Sequence, residues 1–268
     1  MSRSALITGG AGFIGSHIAD RLLALGHRVV AFDNFAIGRE NNIAHLRSNP
    51  AFSLVRGDIT DRDALSRLVK DNAVDVIFHL AAVHYIPFCT AHPYEAMRIN
   101  VLGTQAVIDA AAAGPTERLV FASTSDVYAV KDAPLVEDDP VGPYTVYGNT
   151  KMMSERLLWL ATTMNPKMSA AVARLFNVYG PRETNPHVLP EILDQLKNGA
   201  ATVRLGNLWP RRDFVFVEDV ADAFIANLGE EDGCPGHYLK ASIDANGRYT
   251  MTNSRTAFSK RYQAKAPR

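Results

Sequence analysis

The stretch Ala5–Ser16, "ALITGGAGFIGS", decides the fold. A short apolar run, Ala5 to Thr8, has strand character. A glycine cluster then breaks it, and helical periodicity follows, with Ile14, Ile18, Leu22 and Leu25 on one face up to Gly26. Gly10, Gly12 and Gly15 satisfy G-x-G-x-x-G, and Gly9, Gly12 and Gly15 satisfy G-x-x-G-x-x-G. Glycines at a strand-to-helix turn let a pyrophosphate approach backbone amides at a helix N-terminus. The pattern alone is weak, and its place between strand and helix strengthens it. The next strand, "HRVVAFD", ends in Asp33, 18 residues beyond Gly15. A carboxylate there accepts hydrogen bonds from ribose hydroxyls and repels a 2′-phosphate, which favours NAD over NADP. Asp58, in "RGDIT", ends a third strand near where adenine would lie, and a turn or capping role suits it equally.

Working outward, apolar runs alternate with helix-periodic ones as far as about Ser242. "DRDALSRLV" reads as a helix with Asp61 and Asp63 at its positive end, and "VDVIFHLAA" as a strand buried on both faces. "PYEAMRINVLGTQAVIDAAAA" is a long helix, "RLVFAST" a strand, "VYGNTKMMSERLLWLAT" a helix and "MSAAVARLFNVYG" a strand. This alternation predicts an α/β fold with a doubly wound parallel sheet. Past Gly180 the pattern loosens into a helix near Leu189–Lys197, a short strand "ATVRL" and "RDFVFVEDVADAFIANL". The expected organisation is a dinucleotide-binding domain over 1–180 and a small substrate-binding lobe over 181–240. The polar, basic residues 241–268 lack periodicity and are expected to form an irregular or disordered tail.

The 268 residues carry 28 basic and 28 acidic side chains, so charge offers no reason to expect nucleic acid or an anionic membrane as partner. Two cysteines, Cys89 and Cys234, make no disulfide framework, and no apolar run approaches membrane-spanning length. A cytoplasmic protein is expected.

"YGNTK" puts Tyr147 and Lys151 four apart on one helix face. A phenol with a pKa of about 10 is a poor base at neutral pH. A nearby ammonium, joined by a positive nicotinamide ring, is expected to lower it. His79, in an apolar strand, reads as a satisfied core histidine. "CTAHP" holds Cys89 and His92 without further ligands at metal spacing, so no metal site is expected.

"TGGAGFIGS", Asp33, "HLAA", "NVLGT", "STSDVY", "YGNTK", "RLFNVYGPR" and "RRDFVFVEDVADAF" occur in this order. Together they resemble the extended short-chain dehydrogenase/reductases, in particular the NAD-dependent nucleotide-sugar epimerase/dehydratase group. The resemblance covers about residues 3–240 and implies a Rossmann fold holding NAD. The implied cofactor contacts are Gly9, Gly12, Phe13, Ile14, Gly15, Asp33, Asn34, Asp58, Ile59, Leu80, Ala81, Ala82, Asn100, Tyr147 and Lys151. It implies Tyr147 as base, Lys151 on the nicotinamide ribose and Thr124 on the reacting hydroxyl. His84, Asn177 and Arg212 fall on the substrate side, Arg212 toward the diphosphate, with Arg211 solvated and Tyr128 in packing. A homodimer is implied, paired through the helices at about Pro93–Ala113 and Tyr144–Thr163.

Members of this group share one step, in which the phenolate takes the sugar C4 hydroxyl proton while C4 delivers hydride to NAD. Epimerases return the hydride to the other face, dehydratases expel the C6 hydroxyl, and decarboxylases release carbon dioxide. Dehydratases with Thr-Asp-Glu carry an acid where this chain has Ser125. Asp126 is either a C5 base, as in Thr-Ser-Glu patterns, or a turn residue. A UDP-sugar 4-epimerase is the favoured expectation. A 4,6-dehydratase or UDP-uronate decarboxylase is the alternative, and a non-catalytic NAD-binding regulator the third.

Overall fold

The computed structural model describes residues 2–183, 185, 187–206 and 212–228, together with the backbone of strands at 239–243, 248–253 and 258–263. Six parallel strands form the main sheet: β1 (Ser4–Thr8), β2 (Arg28–Asp33), β3 (Phe52–Arg56), β4 (Val76–His79), β5 (Arg118–Thr124) and β6 (Ser169–Leu175). Their spatial order is β3-β2-β1-β4-β5-β6. The chain leaves β1 for one side and returns beside it as β4, so a crevice opens at the carboxyl ends of β1 and β4, where such sheets bind ligands.

The helices are α1 (Phe13–Ala24), α2 (Arg62–Asp71), α3 (Ile86–Ala91), α4 (Pro93–Met97), α5 (Gly103–Ala113), α6 (Val146–Met164), α7 (Val188–Lys197) and α8 (Val217–Ala226). Alternation along β1 feeds two cores. Ala5 and Ile7 face α1 and α8, packing with Ile18, Leu22, Phe78, Val220 and Phe224. Leu6 faces the other side, with Phe32, Leu65, Val107, Phe121 and Leu158. Phe78 is fully buried, and truncating it to alanine is expected to cost about 3–5 kcal/mol. Asp61 caps α2, its carboxylate accepting from the Ala64 amide at 3.0 Å.

Several boundaries differ from expectation. Leu25 lies just past the end of α1 and is 44% exposed, so the apolar stripe of that helix stops at Leu22. The long helix from Pro93 is interrupted by a π-turn at Arg98–Leu102, which carries Asn100. "ATVRL" forms no strand. The side-chain amide of Gln195 on α7 bonds both backbone groups of Arg204, at 2.7 and 2.9 Å, and so occupies the place of a neighbouring strand.

Leaving β6, the chain passes at once into β7 (Asn177–Tyr179), which belongs to a second sheet with β8 (Phe214–Phe216), β9 (Leu239–Ile243), β10 (Arg248–Asn253) and β11 (Phe258–Gln263). β7 and β8 are parallel, and the rest run antiparallel. The tail expected to be irregular therefore contains β10 and β11 and most of β9. These strands pair through backbone hydrogen bonds, which require no apolar alternation. Among the described residues, no helix is long and apolar enough to cross a membrane. Arg211 and Cys234 lie outside the described residues.

Candidate active site

A cavity of about 1460 Å³ runs from the turn after β1, across the ends of β4 and β5, to β7 and α7. Pockets for one drug-sized ligand span about 300–1,000 Å³, so this one has room for a dinucleotide and a second ligand.

At one end the glycine turn is shaped as a cradle. Gly9 adopts φ +72°, and a Cβ on it would lie 3.0 Å from the Ala81 amide nitrogen. A Cβ on Gly15 would lie 2.2 Å from the Gly9 carbonyl oxygen. No side chain caps α1 at Gly12, and the first-turn amides of a helix lack partners within it. They point an N-terminal positive dipole into the cavity. Asp33 is buried, one carboxylate oxygen accepting from the Ala11 amide at 2.9 Å and the other from Phe35 at 2.8 Å. Burial pushes its carboxyl up, against those two hydrogen bonds. A carboxylate has about four acceptor sites, so two remain for hydroxyl donors. Asp58 does what a turn residue does, accepting from the Thr60 amide and hydroxyl at 2.9 and 2.7 Å and from Asn34 at 2.9 Å. Burial acts to raise its carboxyl, but these bonds and Arg98 hold it below the usual range. Both Asn34 and Asp58 still line the cavity, as do Phe13, Ile14, Ile59, Leu80, Ala81 and Ala82.

Midway lie the groups with chemistry. Thr145 caps α6, accepting from the Gly148 amide at 2.8 Å, which sets Tyr147 in the first turn and Lys151 one turn on. Thr124 ends β5; its oxygen accepts from the Asp126 amide at 3.2 Å, and its hydroxyl is hydrogen-bonded to Tyr147. Lys151 is buried, donates to the Ala122 carbonyl at 2.8 Å, and holds its ammonium 6.0 Å from the Tyr147 ring centre and 4.6 Å from that of Phe121. Burial brings Lys151 down to about 7, with Glu155 and Cys89 acting to raise it.

Tyr147 departs from expectation. Its phenol is pushed well above the ordinary value, first by burial and then by the Asp126 charge, against the Thr124 hydrogen bond. The expected lowering therefore waits on charge that Lys151 alone does not supply.

Asn100 alone among the expected cofactor contacts does not line the cavity. It is buried behind it, its amide bonding Val83 at both the amide and the carbonyl, 2.8 Å each, and Thr150 at 2.9 Å. It shapes the wall after β4. His79 is a satisfied core histidine, bonded to Thr8 at 2.6 Å and Thr104 at 2.9 Å, and burial brings it to about 3. Tyr128 is buried in packing beneath the Arg174 guanidinium, 4.7 Å from its ring centre.

On the far side the cavity meets His84, Asn177 and Arg212. Asn177 donates to the Asp213 carbonyl at 3.0 Å, tying β7 to the start of β8. Burial, followed by the charges of His187 and Lys151, brings His84 to about 4. Glu183, Asn185 and His187, which no sequence motif singles out, line the same wall, with His187 hydrogen-bonded to Glu183 and its ring edge-on to His84 at 6.5 Å. No periodicity marks this loop, and only adjacency to "NVYGPR" would have drawn attention to it.

The sequence profile of the NAD dependent epimerase/dehydratase family matches residues 5–239. The chain belongs to that family. It is 36% identical to a UDP-glucose 4-epimerase of Mycolicibacterium smegmatis over 253 residues, covering 92% of this chain and 80% of the relative. It is 33% identical to a UDP-N-acetyl-alpha-D-glucosaminuronate decarboxylase of Bacillus cytotoxicus, covering 86% and 73%. Among solved structures, a dTDP-glucose 4,6-dehydratase of Streptomyces venezuelae with NAD bound superposes at a TM-score of 0.77 and 29% identity, covering 87% of this chain and 73% of that one. The family is NAD-dependent, and the glycine cradle, the unpartnered helix amides and the spare acceptor sites of Asp33 suit that cofactor.

Proposed function

We propose that the protein oxidises the sugar of a nucleotide sugar transiently at C4 and reduces it again on the opposite face, as a UDP-sugar 4-epimerase. The observation that carries this reading is the meeting of Thr124 and Tyr147 on the cavity floor beside buried Lys151; Ser125 also lines the cavity, at the position where the resemblance gives the Thr-Asp-Glu dehydratases their acid.

Gly9, Gly12, Gly15 and the α1 amides would hold the pyrophosphate of NAD, Asp33 its adenosine ribose, and Lys151 the ribose beside the nicotinamide. Bound NAD supplies a two-electron acceptor for C4, returns the pair, and adds a positively charged ring. Thr124 orients the C4 hydroxyl with its own hydroxyl. Tyr147 takes that proton as phenolate and gives it back after the keto sugar has turned. A phenol raised by burial needs nearby positive charge to do this, at about 1.4 kcal/mol per pH unit of lowering. Lys151, poised at about 7, gives part of it. Arg212 offers a planar donor fork to the substrate diphosphate. The exposed apolar side chains Tyr94, Leu102, Trp159 and Met164 on the helices from Pro93 and Val146 favour a homodimer. Balanced charge and the absence of a disulfide pattern favour a cytoplasmic setting.

A second reading rests on Asp126. It lines the cavity, accepts from Thr145 at 3.4 Å, and its charge reaches Tyr147. A carboxylate on the cavity wall that acts on Tyr147 suits removal of a C5 proton, as a dehydratase or uronate decarboxylase requires. Proton NMR of UDP-, dTDP- and GDP-sugars incubated with the protein in D2O separates the two. A 4-epimer without deuterium in the sugar is expected. A keto-deoxy sugar or a pentose bearing deuterium at C5 would replace the epimerase reading.

A further inference from the structure

Directly behind the floor of the cavity lies a carboxylate to which the reaction outlined above assigns no part. Glu155 sits one helical turn beyond Lys151 on α6, with its side chain only 12% exposed. One oxygen accepts from the Ser123 hydroxyl at 2.5 Å and from Arg174 Nε at 3.1 Å; the other accepts from the same guanidinium at 2.8 Å. Arg174, on β6, spans from Glu155 to the Glu137 carbonyl at 3.3 Å and lies over the Tyr128 ring. Ser123 falls between Ala122, whose carbonyl receives the Lys151 ammonium, and Thr124, which meets Tyr147. Glu155 thus ties α6 to the ends of β5 and β6 within one residue of both contacts.

We propose that Glu155 is a positioning residue for the reaction: by gripping Ser123 and Arg174 it fixes the end of β5 against α6, so that Ala122 receives Lys151 and Thr124 meets Tyr147, and it sets a carboxylate one helical turn from the Lys151 ammonium. This rests on the C4-oxidation reading for its effect on turnover, but not for its effect on Lys151. The groups acting on or facing Lys151 are few. Glu155 lies on its own helix and Cys89 on α3, both favouring the ammonium. His79 on β4 and His84 beyond it feel the Lys151 charge and are held neutral by burial. Tyr147 faces it as a neutral phenol. Glu155 is the one full negative charge in that set.

The test compares wild type, Glu155→Gln, Glu155→Asp and Ser123→Ala. Lysine side chains labelled with 13C at Cε are titrated by NMR, with the Lys151 signal assigned by its loss in Lys151→Met. Glu155→Gln is expected to lower the Lys151 midpoint by about one pH unit. With an active nucleotide sugar, kcat should fall at least tenfold with KM within about threefold, and the alkaline limb of kcat should move to lower pH with the midpoint. Ser123→Ala keeps the charge but loses one tie, so it should reduce kcat without moving the midpoint. It also serves as the decisive variant if Glu155→Gln does not fold. Glu155→Asp should restore the midpoint. An unchanged midpoint in Glu155→Gln, or wild-type kcat in Ser123→Ala, would overturn the proposal. A shifted midpoint in a protein whose wild type converts no sugar would refute the functional reading and leave the role of Glu155 toward Lys151 standing.

Discussion

Substituting Gly15 by alanine strikes the cofactor cradle at its tightest point. The added Cβ would stand 2.2 Å from the Gly9 carbonyl oxygen and 3.0 Å from both the Gly9 carbonyl carbon and Gly10 Cα. An ordinary contact is about 3.5 Å, so the overlap is roughly 1 Å. All three neighbours are backbone, and Gly9 is itself pinned by the hydrogen bond that its N–H donates to the Phe32 carbonyl at 2.8 Å. The turn must therefore open. Overpacking of this kind costs about 1–3 kcal/mol, and for a chain of this size each kcal/mol lowers Tm by about 2–4 °C, so a fall of about 2–12 °C is expected. Displacing the amides that face the pyrophosphate would forfeit charge-assisted hydrogen bonds of about 1.5–3 kcal/mol each. Losing two weakens NAD binding at least about 100-fold. Gly206→Ala is the control, since a Cβ there meets nothing within 4 Å. Thermal melts and calorimetric NAD titrations of the three proteins give the answer. Gly15→Ala binding NAD within threefold of wild type, with an unchanged melt, would refute the cradle assignment.

Other consequences are more local. Tyr147→Phe removes the proton acceptor while leaving the ring, so kcat should fall about 10²–10⁴-fold with NAD affinity unchanged, as steady-state kinetics and NAD titration would show. His79 binds a proton near pH 6.5 when unfolded but stays neutral to about 3 when folded. Between those values the unfolded chain holds more protons, so stability falls as pH drops, by about 1.4 kcal/mol per unit from this group. Urea unfolding at pH 7 and pH 5 should display that loss, reduced in His79→Gln. Asp61→Ala deletes the α2 cap and should cost about 1 kcal/mol by the same assay without affecting NAD binding.

The β1-turn-α1 unit was legible because three requirements coincide in a few residues: an apolar strand, glycines where side chains collide, and a helix start without a cap. Asp33, Thr124, Tyr147 and Lys151 were legible because strand ends and helix turns fix where their side chains emerge. The ionisation of Tyr147 was not, since it depends on burial and on Asp126, a neighbour across the fold. Ala201–Leu205 carries strand propensity, yet one side-chain amide from α7 takes both backbone bonds of Arg204 near its end. Glu155 was hidden for a similar reason: its partners Ser123 and Arg174 lie 32 and 19 residues away and meet it only once β5 and β6 pair. The β9–β11 meander pairs through its backbone, so a polar sequence gave no sign of it.

In the proposed reaction C4 itself is oxidised and then reduced by the same bound cofactor. UDP-glucose carrying deuterium at C4 is the decisive substrate, with the product read by proton NMR and mass spectrometry. UDP-galactose that keeps its deuterium at C4 is expected. Product formed with that deuterium lost to water, or formed equally well by protein stripped of NAD, would contradict it.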